Sequence, residues 1–353
     1  GNTINGAGGP AGIGGILYNI QTPFGELVPE KITSNEIGLE SRFLNSRISF
    51  DFTYYKNIST NQFLALPALS GTPYSIYYVN AGKVTNKGFE LTLGGEPVRS
   101  DNFTWSSTLN LSQNKNKIVE LIKERPEYQV GGDNEGFSSL IKAGGAFNDL
   151  YIFKFARNDA GQILLDGNGK PLKTATSEYA GSLNPNFVTG WNNTLTYKDF
   201  SLSTLVSAKF GGVAFSKTEA FLDSYGVSKR TGEARENSTI PINAIQGNTA
   251  VTSIDPAVYY SVVGDRNGIM EPYVFSKTNV RLAQVSLAYN LPIKNSSIKS
   301  ASISLIGRNL FFFYKKAPFD PEQAMSTSNS LQGNDVFAAP GTRSYGLNLK
   351  LNF

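Results

Sequence analysis

Apolar and polar residues alternate along nine separate stretches of this chain. In the carboxyl-terminal stretch "YGLNLKLNF", which ends at Phe353, every second residue is large and apolar. Successive side chains of a β-strand point to opposite faces, so each stretch predicts a strand with one apolar face and one polar face. The nine predicted strands are residues 35–43, 47–55, 87–95, 102–111, 187–197, 200–210, 281–289, 301–309 and 345–353.

Short and long connections alternate between these strands. The first, third, fifth and seventh connections are short, and the others are much longer: 57–86, 112–186, 211–276 and 310–342. In an outer-membrane β-barrel the short turns face the periplasm and the long loops face the outside. Aromatic rings favour the headgroup level of a bilayer. They occur here at or near the ends of the predicted strands: Phe43, Tyr54, Tyr55, Phe103, Tyr197, Phe200, Phe210, Tyr289 and Phe353.

These patterns predict an all-β fold, a transmembrane antiparallel β-barrel with long extracellular loops. The apolar faces of the strands should meet outer-membrane lipid, and the polar faces should line the lumen. The residues predicted to face lipid are Leu91, Trp105, Leu202, Leu287, Leu349 and Phe353.

Nine strands do not close into a barrel of the bacterial type. Single-chain bacterial barrels have an even number of strands and leave no free edge. We therefore expect residues 1–353 to be the carboxyl-terminal part of a larger barrel, which also accounts for an amino terminus without a signal-peptide pattern. Residues 1–32 are expected to form a Gly-rich outer loop that leads into the first strand.

The composition excludes several classes of function. The chain contains no Cys and no His, which rules out disulfides, thiolate metal sites, Cys nucleophiles and His-based acid–base catalysis. Its net charge of +4 is scattered without a basic stripe, so we expect no nucleic-acid partner. We assign no catalytic residue, no cofactor and no metal ligand.

Three loop segments have recognisable local patterns. The segments "LLDGNGKP" (164–171) and "VVGDRNGIME" (262–271) contain Asp-x-Asn spacings that could begin a calcium loop, although both are more typical of turns. The segment "SKTEAFLDSYG" (216–226) predicts a short helix, because Ser216 and Glu219 form a capping box. That helix is either an ordinary surface helix or a docking element for a lid protein.

The remaining charged positions are interpreted as solvated or paired. The segment "SKRTGEARE" (228–236) mixes both signs of charge and predicts a solvated loop. Charged side chains on the polar faces of the strands either line a substrate path or pair with one another. They are Asp51, Glu90, Lys209, Arg308 and Lys350.

Several segments together resemble the carboxyl-terminal barrel of the SusC/RagA family, which comprises TonB-dependent outer-membrane transporters of Bacteroidota. The resemblance runs in order through "LVPEKITSNEIGLESRFLNSRISFDFTYYKNISTNQF" (27–63), "YVNAGKVTNKGFELTL" (78–93), "WSSTLNLSQNKNKIVEL" (105–121), "YIFKFARNDAGQILLDGNGKP" (151–171), "NPNFVTGWNNTLTYKDFSLS" (184–203), "TNVRLAQVSLAYNLP" (278–292), "IGRNLFFFYKKAPFDPE" (306–322) and "YGLNLKLNF" (345–353).

The resemblance implies a 22-stranded barrel, of which this chain would supply about nine strands. It also implies an amino-terminal plug and a segment that contacts the TonB complex, both outside this chain. Members of the family import glycans or peptides, often under a surface lipoprotein of the SusD type that acts as a lid. The implied partners are therefore the rest of the barrel, the SusD-like lipoprotein, the TonB complex and an oligosaccharide or peptide substrate.

Two other classes of function stay open at this point. The first is a passive porin, or a barrel that serves as an assembly or adhesion platform without energy coupling. The second is a secreted all-β carbohydrate-binding or hydrolytic domain, in which the apolar faces would pack inward. The alternation of short and long connections favours the barrel.

Overall fold

Nine strands form one antiparallel sheet in the computed structural model, which describes residues 2–4, 15–17, 28–67, 76–80, 82–121, 127–132, 136–293, 298–323 and 334–352. The order of the strands in the sheet is the same as their order in the chain, so the sheet is a simple meander. The strands are β1 (Lys31–Phe43), β2 (Ile48–Thr60), β3 (Lys83–Arg99), β4 (Phe103–Glu120), β5 (Phe187–Tyr197), β6 (Phe200–Phe210), β7 (Asn279–Leu291), β8 (Ser300–Lys315) and β9 (Ser344–Asn352).

All nine predicted strands are confirmed, but most are longer than the alternating pattern indicated. Strand β4 has 18 residues, and its second half, "SQNKNKIVE" (112–120), is mostly polar. This half still pairs with β3, for example at Asn86↔Asn116. Backbone hydrogen bonds continue the strand beyond the region where lipid would demand an apolar face, so hydrophobic alternation underestimates its length.

Short turns lie at one end of the sheet and long loops at the other, as predicted. The short connections are residues 44–47, 100–102, 198–199 and 292–299, the last of which is described only at 292–293 and 298–299. We name the long loops L1 (61–82), L2 (121–186), L3 (211–278) and L4 (316–343).

The long loops carry their own secondary structure. A four-stranded sheet in L2 contains Glu127–Gly132, Phe137–Lys142, Asp149–Ile152 and Glu178–Ser182. A second small sheet joins Ile163–Leu165 of L2 to Ile240–Gln246 and Thr249–Ile254 of L3. A third joins Val213–Ser216 and Val274–Ser276 of L3 to Asn334–Asp335 of L4. Loop L3 also contains the helices α1 (Lys217–Ser224), α2 (Lys229–Glu236) and α3 (Pro256–Tyr260) and a 3₁₀ turn, Glu271–Tyr273, and L1 contains the pair Phe63–Pro67 and Ile76–Asn80.

The main hydrophobic core lies in these loops rather than on the nine-stranded sheet. We call the described residues of L2, L3 and L4 together the loop cap. Its core contains five residues of L2 and six of L3: Phe137, Leu150, Ile152, Phe155, Leu183, Phe215, Ala220, Val263, Ile269, Met270 and Tyr273. The cap therefore holds together by the same burial of apolar side chains that stabilises a globular domain.

The two outer strands of the sheet each have a free edge among the described residues. Strand β1 pairs only with β2, and β9 pairs only with β8. Nearly every residue of both strands is exposed. Such edges carry rows of backbone N–H and C=O groups that need a partner strand, above all in a bilayer.

The predicted outer loop 1–32 is described only in part. Two short strands within it, Asn2–Ile4 and Gly15–Leu17, pair with each other in antiparallel fashion. Strand β1 begins at Lys31, so the last two residues of this segment belong to the sheet. The position of the segment on the outer side remains a prediction.

Candidate functional site: an apolar face, a polar face and a loop cap

One face of the sheet is apolar across all the strands. The registers align Trp105 of β4, Leu195 of β5, Leu202 of β6 and Leu287 of β7 in a single row. The row continues through Leu305 of β8 to β9. Side chains in one such row share a face of the sheet, so alternation in each strand adds up to one continuous apolar surface.

Five of the six residues predicted to face lipid lie on this apolar face. They are Leu91, Trp105, Leu202, Leu287 and Leu349, as the registers of neighbouring strands show. The sixth, Phe353, lies outside the described residues. Leu287 and Leu349 are 46% and 59% exposed. Contact of this face with lipid stays a prediction.

Two tryptophans satisfy polar groups within the apolar face. The indole Nε1 of Trp105 donates to the side-chain oxygen of Asn193 at 3.1 Å, and that of Trp191 donates to the hydroxyl of Ser107 at 2.9 Å. Ser107 and Asn193 are direct cross-strand partners. In an apolar solvent an unpaired polar group is costly. These bonds let Ser107 and Asn193 occupy an otherwise apolar surface.

The aromatic residues that begin and end two strands set the height of the apolar face. Phe187 and Tyr197 are the first and last residues of β5, and Phe200 and Phe210 are those of β6. A strand that rises about 3.4 Å per residue and tilts by about 40° climbs about 26 Å over ten residues. This height matches the apolar band of about 25 Å that aromatic girdles flank in outer-membrane barrels.

The opposite face of the sheet is polar and carries short hydrogen-bonded pairs. The hydroxyls of Thr194 and Ser203 lie 3.1 Å apart across β5 and β6, and Thr92 donates to Asn110 at 2.9 Å across β3 and β4. All five charged residues predicted for the polar faces lie on this side: Asp51, Glu90, Lys209, Arg308 and Lys350. Of these five, Lys209 is the one with an ion pair among the described residues.

That ion pair belongs to a cluster where the polar face meets the loop cap. Glu322 of L4 accepts Nη2 of Arg281 at 2.9 Å and lies 3.4 Å from Nζ of Lys209. Lys277, the last but one residue of L3, is buried nearby and donates to the carbonyl of Leu183 at 2.7 Å. Burial, followed by repulsion from Lys209, lowers the pKa of Lys277 to about 8. We call Lys209, Lys277, Arg281 and Glu322 the junction cluster.

The predicted helix at 216–226 is confirmed as α1. Ser216 caps its amino end by accepting the backbone N–H of Glu219 at 3.0 Å. Gly226 follows the helix with φ at +70°, a conformation that favours glycine after a helix end. The Ser216 hydroxyl also donates to Asp335 of L4 at 2.6 Å. The capping residue thus joins two loops as well as starting a helix.

The prediction of a solvated loop at 228–236 is wrong. Residues Lys229–Glu236 form α2, capped by Ser228, whose hydroxyl accepts the N–H of Thr231 at 3.1 Å. The same hydroxyl donates to Asp223 of α1 at 2.6 Å. Asp223 lies five residues before Ser228, just outside the segment, and its carboxylate orients the capping hydroxyl.

Asp223 is the centre of a buried polar network in the cap. Besides Ser228, it contacts Nε of Arg230 at 3.1 Å and accepts the hydroxyl of Tyr273 at 2.9 Å. Burial and the Asp223 charge raise the pKa of Tyr273, and burial raises the pKa of Tyr259 to about 12. Both phenols therefore stay protonated at neutral pH and serve as donors or packing groups, with no role as general bases.

Loops L2 and L3 are also joined by a two-pronged ion pair. Arg157 of L2 donates Nη1 and Nη2 to the two carboxylate oxygens of Glu271 of L3, at 2.9 and 2.8 Å. Glu271 also accepts the backbone N–H of Phe155 at 3.0 Å. Bidentate pairs of this kind combine charge with fixed geometry. The cap is thereby one cross-linked unit rather than a set of separate loops.

Two open cavities lie on the cap. One, of about 450 Å³, is bordered by α1, α3 and L4 and is lined by Phe221, Tyr225, Tyr260 and Phe337 among others. The rings of Phe221 and Phe337 stack with centroids 5.9 Å apart. The second, of about 860 Å³, lies between L4 and the end of β8 that leads into it, and Arg281 of the junction cluster lines it.

Turns occupy both segments that could have begun a calcium loop. The Asp166 side chain accepts the backbone N–H groups of Asn168 and Lys170 at 2.8 and 2.9 Å. In the second segment, Gly268 donates its N–H to the carbonyl of Asp265 at 2.9 Å. Within the part of the chain that the structure describes, no group of three or more acidic residues has the geometry to hold a metal ion.

None of the helices in the described ranges is long and apolar enough to cross a membrane.

Comparisons with known proteins agree with this architecture. The family model described as "TonB dependent receptor-like, beta-barrel" matches residues 4–228. TonB-dependent receptor P3 of Formosa agariphila is 29% identical over 352 residues, which cover 90% of this chain and 34% of that protein. TonB-dependent receptor SusC of Bacteroides thetaiotaomicron is 21% identical over 345 residues, which cover 92% of this chain and 32% of that protein.

A solved structure gives the same picture of the fold. The structure of the RagAB peptide transporter superposes with a TM-score of 0.68 at 19% identity, and the match covers 92% of this chain and 35% of that chain. The chain thus spans about a third of the length of the proteins that it matches. The resemblance to SusC and RagA and the assignment to part of a β-barrel are confirmed, and the chain belongs to the family of TonB-dependent receptor-like β-barrels.

Proposed function

We propose that this chain forms part of the wall and the outer loops of an outer-membrane transporter that imports a glycan or peptide with energy from TonB. The observation that carries the proposal is the nine-stranded meander with one continuous apolar face, two free edges and a loop cap at a single end. An apolar face of this height suits a bilayer, and a polar opposite face suits a water-filled lumen.

The rest of the barrel, the plug and the TonB-contacting segment would be supplied by the remainder of a longer polypeptide. Relatives about three times as long as the matched region support this view. The free edges of β1 and β9 would pair with the missing strands, and residues 1–353 would be the carboxyl-terminal part of the barrel. Closure would satisfy the exposed backbone groups of both edges.

The loop cap is the proposed place of substrate capture and lid docking. The solved structure that shares this fold is that of a peptide transporter, and one of the relatives is SusC. We propose a SusD-like surface lipoprotein as partner, with an oligosaccharide or peptide as substrate. The exposed rings of Tyr225 and Phe337 beside the smaller cavity support either substrate, since a flat apolar face stacks on sugars and on peptide side chains alike. We assign no catalytic role to the chain.

The alternative of a secreted all-β domain conflicts with the packing of the sheet. In that class the apolar face would be covered by a second sheet. Large apolar side chains of β1, β7, β8 and β9 are instead exposed, with Leu39, Leu287, Leu305 and Leu347 between 46% and 68%. A passive porin would have the same β-barrel wall, so an experiment must distinguish it from an active transporter.

Uptake measurements separate active import from passive diffusion. Cells that express the full-length polypeptide would be given fluorescent oligosaccharides and peptides, before and after a protonophore collapses the proton gradient. We expect uptake that depends on the polypeptide and stops when the gradient is lost. Uptake that continues without the gradient, or swelling of proteoliposomes that contain the purified protein, would establish the porin instead.

A further inference from the structure

Three cations of the junction cluster share a single carboxylate. Lys209 and Arg281 come from adjacent strands and both contact Glu322, at 3.4 and 2.9 Å. Lys277 is close enough that repulsion from Lys209 contributes to its lowered pKa of about 8. Glu322 side-chain exposure is 13%, so this charge imbalance lies in a partly dehydrated place where electrostatic interactions are strong.

The members of the cluster are held in fixed positions. The Nε of Arg281 donates to the Ser207 hydroxyl at 3.1 Å, which directs the remaining guanidinium N–H groups toward Glu322. The Asp320 side chain accepts the backbone N–H of Glu322 at 2.9 Å and forms a local turn. The cations are therefore arranged in advance, and their geometry does not depend on long, freely rotating side chains.

Neighbouring carboxylates have other partners. Glu219 pairs with Arg230 at 2.9 Å, and Asp335 accepts the Ser216 hydroxyl at 2.6 Å. Both line the larger cavity with Arg281, as does Asp320, whose side chain accepts the backbone N–H of Glu322. Two further cations line it as well. One of them, Lys315, donates to the carbonyls of Pro318 and Phe319 at 3.2 and 3.0 Å, which leaves its positive charge without a carboxylate partner in the described ranges.

We propose that the junction cluster is a binding subsite for a carboxylate group of the substrate, and that Glu322 occupies this subsite until a substrate arrives. The Glu322 carboxylate is attached to L4, so a substrate carboxylate that replaces it also detaches L4 from strands β6 and β7. The substrate class is then an acidic oligomer, whose charge matches the excess of cations within the junction cluster. The adjoining cavity of about 860 Å³ is lined by three cations and three carboxylates, so the preference for negative charge comes from the cluster.

This inference rests on the proposed function only in placing the polar face on the substrate path. Binding can be measured without transport, so a result can contradict the subsite without contradicting active import, and the reverse. Uptake that does not depend on the proton gradient overturns active import, whereas the affinities for acidic and neutral probes decide the carboxylate subsite.

The test uses the purified full-length polypeptide in detergent and four probes. The acidic probes are trigalacturonate and a peptide of three glutamates, and their neutral counterparts are maltotriose and a peptide of three alanines with both ends blocked. Calorimetry gives the affinity of each probe for the wild type, Glu322→Gln and Arg281→Met. A matched control, Glu178→Gln, removes a carboxylate of L2 that pairs with Lys154 at 3.7 Å.

Removal of the internal competitor should tighten binding. We expect Glu322→Gln to raise the affinity for at least one acidic probe about tenfold, and Arg281→Met to lower it about tenfold, since one charge-assisted hydrogen bond corresponds to a factor of this size. The neutral probes and Glu178→Gln should show no change. The acidic probe whose affinity changes, the sugar or the peptide, identifies the source of the carboxylate.

Two results overturn the subsite. One is equal affinity of Glu322→Gln for acidic and neutral probes, and the other is acidic binding that Arg281→Met leaves unchanged. Hydrogen exchange of residues 316–323 provides a second readout that does not require a variant. A saturating acidic probe should speed exchange there in the wild type, and unchanged exchange would contradict the displacement of Glu322.

Discussion

An arginine at Leu287 should test whether the apolar face meets lipid. Leu287 is 46% exposed and lies on β7 between its cross-strand partners Leu202 and Leu305. It is two residues from Tyr289, which pairs with Phe200 in the aromatic row at that end of the apolar face. At about 3.4 Å per residue and a tilt of about 40°, this places it about 5 Å inside that row, between the interface and the midplane of an apolar band about 25 Å tall.

The depth sets the expected magnitude. An arginine on the lipid face costs about 2–4 kcal/mol at the midplane and about 0–1 kcal/mol near the interfaces. Because Leu287 lies between these depths, we expect Leu287→Arg to lower the free energy of unfolding of the full-length protein by about 1–2 kcal/mol. The assay is a urea titration in phospholipid vesicles, in which stability differences follow from the midpoint at constant slope.

The neighbouring residue supplies a matched control. Ser286 precedes Leu287 in β7, so its side chain lies on the polar face of the same strand. Ser286→Arg adds the same charge and volume at nearly the same depth, and we expect it to cost less than about 1 kcal/mol because a lumen side chain stays in water. Equal losses in the two variants, or a loss at Leu287 below about 1 kcal/mol, would refute the assignment of the faces.

Three further predictions concern hydrogen bonds and charge. Trp191→Phe removes the donor to Ser107 and should lower the free energy of unfolding by about 1 kcal/mol in the same vesicle titration. Tyr273→Phe removes a bond to the buried Asp223 carboxylate, so the amides of α1 should open about 1.5–3 kcal/mol more easily by hydrogen exchange. The pKa of Lys277 is lowered from 10.5 to about 8, so the wild type should become more stable relative to Lys277→Met as pH rises from 8 to 10.5.

The sign and size of the Lys277 effect follow from proton linkage. Between pH 8 and 10.5 the unfolded chain still binds the proton that the folded chain has released, so the wild type becomes more stable as pH rises. Over this window the gain amounts to about 3 kcal/mol, and it is lost as pH falls from 10.5 to 8. Denaturant titrations at pH 7.5 and 10 measure it. A difference between the two proteins that does not change with pH would contradict the lowered pKa.

The two other variants have their own controls. For Tyr273→Phe the control is Tyr225→Phe, which removes a hydroxyl from a ring that is 77% exposed and should leave exchange unchanged. For Trp191→Phe the control is Leu195→Ile, a substitution on the same face of β5 that keeps the side-chain volume and removes no hydrogen-bond donor. If the phenylalanine and isoleucine variants have equal stability, the indole bond contributes nothing measurable.

The wall of the fold could be predicted from the sequence because the two faces of its sheet differ in polarity. Each strand must alternate, and the pattern of β6, from Phe200 to Phe210, is legible without knowledge of any other strand. The polar outer half of β4 was missed, since paired backbone groups continue there without an apolar requirement. The depth and register of the strands required the structure.

The loop cap could be predicted only in fragments. Local signals sufficed for α1, where Ser216 and Glu219 form a capping box. Helix α2 also has a local capping residue, Ser228, but the mixed charges of residues 228–236 favoured a loop over this signal. The junction cluster could not be predicted from the sequence either. The segment that contains Glu322 has the sequence of a turn, and the contacts with Lys209 and Arg281 join parts of the chain that no local pattern relates.

The cap also constrains the order of assembly. Its core joins L2 to L3, and the hairpin of β5 and β6 lies between these two loops in sequence. Contacts that close so long a segment carry a large entropic penalty until the hairpin has brought their ends together. The loop cap should therefore consolidate late, after the strands of the sheet have paired. Protection of the Leu150 or Met270 amides would then report that this hairpin has formed.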